Sequence, residues 1–324
     1  MTGKPIIVQS EHLADEAVRW LHERCDLRAV AYDAPEFPDV LAHAHALIVR
    51  TYTKVDHAML ENAPVLRVVG RAGTGLDNID VAACRARGIQ VVYAPQANTQ
   101  AVVEYVIQLI CDSIRPRVTL DQPVGAGEWR RLRSEIVGRN QFSDLTVGVL
   151  GLGRIGRRVA QVAAAIGADV LFNDLLDIPP ELRSGAEPVP VEDLFRHAHV
   201  VSVHIDARTG NRHFVGSWYI DRMRRDVIFI NTSRGFVVDN VALAQFLRAH
   251  PEALAHLDVH DPEPFDDSYP LLGLPNARLY PHLAGRTDTA LANMSWVVRD
   301  VIAVLEGASP RFPAPHVDIA PEFT

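Results

Sequence analysis

Three side chains raise the chemical question. Arg234 stands in INTSRG, Glu263 in DVHDPEP and His282 in PHLAG. They are 29 and 19 residues apart, each about the length of one βα unit. Such units can bring all three to one edge of a parallel sheet, the edge outside which ligands of open α/β sheets bind. The trio suits reduction of a ketone. A hydride arriving at the carbonyl carbon builds negative charge on oxygen, and a proton must follow. Histidine supplies a proton near neutral pH. A carboxylate on its other ring nitrogen orients the ring and favours the imidazolium. An arginine holds a substrate carboxylate through forked hydrogen bonds and polarises the neighbouring carbonyl.

The hydride needs a source, and GLGRIG at 151–156 points to one. It follows a strand-like run and opens a helix-like one. Gly151 makes the tight turn, Gly153 lets the backbone approach a pyrophosphate, and Gly156 lets helix and strand pack closely. The free N–H groups of the helix start face the anion. Asp174 lies 18 residues past Gly156, at the end of the next strand-like run. An acid there accepts from a ribose 2′-hydroxyl and repels a 2′-phosphate, so NAD is expected over NADP. A flavin would fit the same fingerprint, but nothing else in the chain speaks for one.

The elements that must position these residues alternate along nearly the whole chain. In the first hundred residues the strand-like runs are IIV (6–8), LRAVAY (27–32), ALIV (46–49), LRVVG (66–70) and IQVVY (89–93). Helix-like pieces lie between them, such as 12–24 and 78–88, the second ending in Gly88. A longer amphipathic stretch, 98–115, starts at a capping Asn98 or Thr99 and stops at Pro116. An irregular Pro/Gly stretch follows at 121–143. Six more strand-like runs come next, TVGVLG (146–151), DVLFND (169–174), VVSVHI (200–205), VIFINT (227–232), AHLDV (255–259) and ARLY (277–280). One helix is expected over roughly 287–306, closed by Gly307. Apolar strands separated by helices mean parallel sheets covered on both faces.

The expectation is therefore two Rossmann- or flavodoxin-like doubly wound domains with a cleft between them. Residues 1–98 plus 286–324 form the substrate domain, and 99–285 the NAD-binding domain. A small-molecule site belongs in such a cleft. The 324-residue length agrees with two domains.

Composition excludes other classes. Net charge is −8, with Lys+Arg 32 against Asp+Glu 40, which argues against a nucleic-acid binder. Aromatics at 7% do not suggest base stacking. No apolar run approaches the ~20 residues of a membrane helix. The N-terminal apolar run, Ile6–Val8, is too short for a signal-peptide core. Cys25, Cys84 and Cys111 fit no zinc spacing and no disulfide framework, so a reducing cytoplasm is expected.

Several motifs in order carry a resemblance. They are LIVRTYTKV (47–55), GRAGTGLDNID (70–80), the NT…VVEY helix (98–105), GLGRIG, INTSRG with VVD (230–239), DVHDPEP (258–264) and PHLAG. Together they resemble the D-isomer-specific 2-hydroxyacid dehydrogenases, in the phosphoglycerate-dehydrogenase-like branch without the regulatory extension. The resemblance implies that Arg234 orients substrate, Glu263 is the partner acid and His282 the acid/base. It implies nicotinamide contacts at Asp258 and Gly285, and other cofactor contacts at Thr74, Arg154, Ile155, Ile205, Thr232 and Ser233. Main-chain N–H groups around Ala72 and Gly73 are expected to receive the substrate carboxylate.

A homodimer through a 98–145 arm is the family expectation. The specific activity is left between a general D-2-hydroxyacid dehydrogenase, glyoxylate/hydroxypyruvate reductase and 3-phosphoglycerate dehydrogenase. An NAD-sensing corepressor or scaffold is the alternative from another class.

Departures from the pattern are informative. HIDARTG (204–210) puts Arg208 near the expected cofactor edge. Tyr52 fills the substrate loop where a small residue is usual. Arg286 follows PHLAG, either solvated or holding a second anionic group. Arg50 is read evenly as a contact for an anionic substrate tail or as a structural ion-pair member. RRLR (130–133) reads as a solvated basic stretch. Of fourteen histidines, His260 is the strongest rival acid/base, although relatives usually carry an aromatic there. His197 and His199 resemble a metal pair without a third ligand. His204 reads as structural. His12, His22, His43, His45, His57, His250 and His256 read as mostly surface residues. Trp129, Trp218 and Trp296 read as packing residues.

Overall fold

A computed structural model describes residues 3–115 and 117–316. Pro116, expected to stop a helix, and the tail beyond 316 lie outside the described residues. The chain divides into two compact units. The first comprises Met1–Asn98, Ala207–Thr209 and Gly285–Thr324, the second Thr99–Asp206 and Gly210–Ala284. Arg208 and Gly285 thus group with the first unit.

The first unit holds a five-stranded sheet. Its strands are β1 (Ile6–Gln9), β2 (Asp26–Ala29), β3 (Ala46–Val49), β4 (Val68–Arg71) and β5 (Gln90–Tyr93). The order is β2-β1-β3-β4-β5 and every pairing is parallel. β3 and β4 are buried at every position, as strands covered on both faces must be. Gly70 lets the helix Val298–Leu305 press onto β4, since a Cβ there would stand 2.4 Å from Val301 Cγ2.

The last helical stretch is two helices rather than one, Asp288–Ser295 and Val298–Leu305. The amides of Trp296 and Val297 bond three residues back, to Asn293 and Met294. The Ser295 hydroxyl donates to the Leu291 carbonyl at 2.9 Å and accepts from the Ala14 amide at 3.0 Å. A tertiary contact and a tightened turn thus interrupt a run whose apolar periodicity continues.

The second unit has seven parallel strands, one more than expected. They are β6 (Thr146–Leu150), β7 (Asp169–Asn173), β8 (Glu187–Pro188), β9 (Val200–Val203), β10 (Ile228–Asn231), β11 (Leu254–Leu257) and β12 (Ala277–Leu279). The additional strand, β8, is a two-residue exposed edge containing proline, with no apolar pattern to read. The order is β12-β11-β10-β9-β6-β7-β8. Chain order reverses at β6, between β7 and β9, so the turn after β6 is the switch point where a ligand belongs.

Helix Thr99–Ile114 packs on helix Arg154–Ile166 and the sheet. Val102, Val106 and Ile110 are buried with Val159, Ala163, Val147 and Val149. Each fully buried valine or isoleucine contributes roughly 1.5–3 kcal/mol.

The stretch 121–143 is not wholly irregular, because Ala126–Glu135 is a helix. Arg131 bonds Glu128 one turn before it and Glu135 one turn after it, support that the Pro/Gly-rich surroundings mask. None of this helix's residues is buried, and Trp129, expected as a packing residue, is half exposed. Trp218 is likewise exposed, with Arg222 over its ring.

Candidate active site

Every strand of the second sheet runs the same way, so the loops after β6, β7, β9, β10, β11 and β12 share one edge. The glycine turn follows β6. Gly151 has φ +92, a left-handed conformation, and a Cβ there would meet the His204 carbonyl at 2.9 Å. A Cβ on Gly156 would stand 2.0 Å from the Gly151 oxygen, so only glycine lets helix Arg154–Ile166 start so close to β6. Gly153, the N-cap, has nothing within 4 Å of the Cβ position. That side is open, and Arg154 and Ile155 begin the helix whose free amides would face a phosphate there.

Asp174 ends β7. One carboxylate oxygen accepts the amide of Leu152, inside the glycine turn, at 2.6 Å, and the other the amide of Leu176 at 2.9 Å. Its charge is therefore fixed against the turn. A cleft of about 220 Å³ adjoins it, lined by Phe172, Leu175, Ile178, Arg183 and Pro188 among others. Ile205, after β9, lies against Gly151.

The loop after β10 is knotted by Asn231, which sequence reading passed over. Its side-chain oxygen accepts the Ser233 amide and hydroxyl at 3.0 and 2.8 Å, and its nitrogen donates to the Arg234 carbonyl at 2.9 Å. The Ser233 hydroxyl proton is thus committed inside the loop. Arg234 Nη1 donates to the Ser233 carbonyl at 2.7 Å. The Thr232 hydroxyl is buried without a hydrogen-bond partner among the described residues, an orphaned polar group on the same sheet edge as the glycine turn. Buried polar groups rarely stay unsatisfied, and a bound cofactor would satisfy this one. The open face at Gly153, the fixed Asp174 and the orphaned Thr232 hydroxyl fit a nicotinamide dinucleotide.

The loops after β11 and β12 meet. His282 Nδ1 lies 3.0 Å from Glu263 Oε2, so the ring donates Nδ1–H to the carboxylate and leaves Nε2 free. His282 has φ +54, unusual for a residue with a side chain. Asp258 holds that conformation. Its two oxygens accept the amides of Leu283 and Ala284 at 2.7 and 2.8 Å. Burial raises the Asp258 pKa, opposed by those two bonds. Asp258, expected as a nicotinamide contact, thus also clasps the PHLAG turn.

His260 is not the acid/base. It is buried, and its two nitrogens face the Tyr280 carbonyl at 2.8 Å and the Tyr269 hydroxyl at 3.2 Å.

In the first unit, two of the amides expected to receive the substrate carboxylate have backbone partners. The Ala72 amide donates to the Val49 carbonyl at 2.9 Å, continuing the β3–β4 ladder, and the Gly73 amide closes onto Arg71 at 2.8 Å. Neither is open to a substrate carboxylate. Gly73's missing side chain makes room for Arg71, whose Nη1 would lie 2.2 Å from a Cβ. Among the described residues, no backbone carbonyl accepts from the amides of Thr74 or Gly75, which lie just beyond the ladder and are partly exposed. The Thr74 hydroxyl donates to Asn98 Oδ1 at 2.7 Å. Gly285 also accommodates Asn98, whose Nδ2 would lie 2.9 Å from a Cβ.

Glu11, unnoticed in the sequence, clasps the loop after β3. It accepts the amides of Arg50, Thr51, Tyr52 and Thr53 and the Thr53 hydroxyl at 2.9–3.2 Å. Burial raises its pKa, but these bonds together lower it below the usual carboxylate value. Tyr52, carried on this loop, is 67% exposed. The Arg50 guanidinium donates to the His12 carbonyl at 3.2 Å and approaches Met294 Sδ at 3.8 Å. Among the described residues no carboxylate lies within ion-pair distance of Arg50 or of the exposed Arg286.

The remaining histidines resolve by partner. His199 Nδ1 accepts the Thr146 amide at 3.0 Å, and no His/Cys/Asp/Glu metal cluster exists among the described residues. His204 bonds Ser202 at 2.8 Å, and burial pushes its pKa down to about 4. His256 is buried on β11 rather than on the surface, between Ser113 at 2.8 Å and the Tyr280 hydroxyl at 2.9 Å. Burial, with Arg278 nearby, pushes its pKa down to about 4.

Comparison with known proteins agrees with this geometry. Residues 107–284 match the family model "D-isomer specific 2-hydroxyacid dehydrogenase, NAD binding domain". A D-3-phosphoglycerate dehydrogenase of Mycobacterium leprae is 37% identical over 88% of this chain and 54% of its own length. The chain thus spans about half of that relative. A glyoxylate reductase of Aeropyrum pernix is 32% identical over 95% of each chain. The crystal structure of D-lactate dehydrogenase from Aquifex aeolicus, complexed with NAD and lactic acid, superposes with TM-score 0.77 at 25% identity, covering 93% of this chain and 96% of that one. This chain belongs to the NAD-binding D-isomer specific 2-hydroxyacid dehydrogenases.

Proposed function

We propose that the protein interconverts a 2-oxo acid and the D-2-hydroxy acid with NAD(H). The observation that carries this reading is the His282–Glu263 pair at 3.0 Å, on the same sheet edge as the glycine turn. The bound nicotinamide supplies or accepts the hydride. Gly151–Gly156, Asp174, Ile205, Thr232 and Ser233 would hold it; the Ser233 hydroxyl donates to Asn231 and keeps its lone pairs for a further bond. Arg234 orients the substrate carboxylate and polarises the adjacent carbonyl. His282 Nε2 gives its proton to the substrate oxygen in reduction and removes it in oxidation. Glu263 fixes the tautomer that makes this possible. From the first unit, the amides of Thr74 and Gly75, rather than those of Ala72 and Gly73, are proposed for the carboxylate, with Tyr52 and Arg50 as further substrate contacts.

The glyoxylate reductase of Aeropyrum pernix, matched end to end, favours a small 2-oxo acid such as glyoxylate or hydroxypyruvate. The half-buried Arg50 without a carboxylate partner favours a second reading, a substrate with a distal anionic group, aided by Arg286. A homodimer is proposed through the helix Ala126–Glu135, none of whose residues is buried within its own chain. A cytoplasmic location is proposed from the three free cysteines. No described helix is long and apolar enough to cross a membrane.

The test is a panel of 2-oxo acids with NADH, run on the wild type and His282→Ala. A loss of about 10²–10⁴ in kcat is expected for His282→Ala. Activity within tenfold of wild type would remove the acid/base assignment. Tight NADH binding with no turnover of any 2-oxo acid would favour a cofactor-sensing scaffold.

A further inference from the structure

The buried polar groups that the reaction does not use include His260, and its surroundings tie together the loops that carry the reaction. The ring lies edge-on to Phe265 (4.7 Å between centroids) and Tyr269 (5.4 Å), which stack on each other. Its Nε2 faces the Tyr280 carbonyl at 2.8 Å. A carbonyl only accepts, so Nε2 carries the proton. Nδ1 then accepts from the Tyr269 hydroxyl at 3.2 Å. Burial raises the Tyr269 pKa, which keeps that hydroxyl a donor.

The Tyr280 carbonyl has a second guest. It also accepts the His282 amide, at 3.1 Å. One oxygen thus receives the ring of His260 and the backbone of the acid/base residue. On its other side, the His260 backbone meets the Arg234 loop. A Cβ on Gly235 would stand 1.9 Å from the His260 carbonyl carbon and oxygen. His260 is three residues before Glu263. It therefore touches or belongs to all three loops.

We infer that His260 is a positioning residue that anchors the Tyr280 carbonyl, from which the left-handed turn at His282 hangs, and so sets the height of the His282 ring against Glu263. The inference rests on the dehydrogenase reading of that pair. A phenylalanine at 260 fills the same space but cannot donate to the carbonyl. This chain therefore fixes its acid/base turn by a hydrogen bond as well as by packing.

Two variants separate these roles. His260→Phe keeps a ring between Phe265 and Tyr269 and removes both hydrogen bonds. His260→Gln puts an N–H donor where Nε2 stands. On the full chain, with thermal midpoints measured alongside, His260→Phe is expected to lower kcat about tenfold. Misplacement of a reacting group by about 1 Å costs up to 10²-fold. KM and the NADH dissociation constant should stay within about twofold. His260→Gln is expected to recover kcat to within about threefold of wild type. A glutamine variant no better than phenylalanine, or a loss confined to NADH binding, overturns the inference. Imidazole ¹⁵N NMR of the wild type gives a readout independent of turnover. An Nε2–H tautomer for His260 supports the contact, and an Nδ1–H tautomer overturns it. Should the wild type reduce no 2-oxo acid, the dehydrogenase reading fails, and the NMR still decides the contact.

Discussion

Asp258→Asn separates a clasp from a cofactor contact. In the wild type each carboxylate oxygen accepts one amide, from Leu283 at 2.7 Å and Ala284 at 2.8 Å. Hydrogen bonds to a charged group contribute about 1.5–3 kcal/mol each. Asparagine keeps one acceptor oxygen and turns an NH₂ toward the other amide. One bond survives in neutral form, and one buried donor is left unsatisfied at about 1–3 kcal/mol. Removing a buried charge offsets part of this, since burial already raises the Asp258 pKa. A net loss of about 2 kcal/mol follows at the turn. That turn holds His282 at φ +54, a conformation costing about 1–2 kcal/mol in an L-residue. Without the clasp the turn relaxes, and the share of molecules with His282 against Glu263 falls. About 2 kcal/mol is roughly thirtyfold, so kcat should drop between 10- and 100-fold. NADH affinity, measured by fluorescence titration, should change less than threefold. The reasoning is refuted if kcat stays within threefold of wild type. It is also refuted if the loss appears in NADH affinity alone, which would make Asp258 a cofactor contact first.

Other expectations follow from single contacts. Asp174→Ala should narrow the preference for NADH over NADPH at least tenfold, and it should loosen the glycine turn through the lost 2.6 Å bond to Leu152. Paired kcat/KM values for the two cofactors check this. Thr232→Val should leave the thermal midpoint of the apoprotein unchanged or higher, because its buried hydroxyl has no partner, while weakening NADH binding. An unchanged NADH dissociation constant would show that the hydroxyl does not meet the cofactor.

Stability should fall in mild acid because of His256. Its folded pKa, about 4, lies below the ordinary 6.5, so the unfolded chain binds the proton more readily. Its contribution is fully present above about pH 6.5 and is lost as pH falls toward 4, by about 1.4 kcal/mol per unit. Urea midpoints for wild type and His256→Gln between pH 7 and 4.5 check this. Parallel pH slopes would exclude His256 as a source.

Much of the fold is legible because the strands that carry it are apolar and β-branched. ALIV and VIFI announce themselves, while Glu187–Pro188 cannot, being two exposed residues paired only by their neighbour's register. The trio Arg234, Glu263 and His282 is legible for a similar reason. Its spacing of one βα unit is a property of the chain, and parallel strands convert that spacing into a shared edge. The partner of each polar atom is not legible in this way. Asp258 reads equally well as a ligand contact or a clasp until the amides of Leu283 and Ala284 are seen to converge on it. Glu11, Asn231 and His260 carry no motif of their own. Each acts on backbone atoms, and backbone atoms are the same in every sequence.

The RAGTG loop shows where the boundary falls. Its glycines mark a turn at the end of β4, and a turn with free amides is what a carboxylate needs. The sequence does not say where the ladder stops. Had β4 ended its pairing at Arg71, Ala72 would have been the first free amide. Instead Ala72 still donates to Val49, and Gly73 folds back on Arg71, so the first amides without a carbonyl partner are two residues later. A shift of two residues leaves the chemistry of the loop unchanged and moves its anion site by about 6–7 Å, the rise of two extended residues. The same holds at PHLAG. The histidine is evident from its motif, but its reach depends on how two carboxylates and one carbonyl hold the turn. On the proposed dehydrogenase reading, function rests on residues legible in the sequence and on backbone geometry that their neighbours enforce, and substitutions at Glu11, Asn231, Asp258 and His260 should change rates without touching any group that reacts.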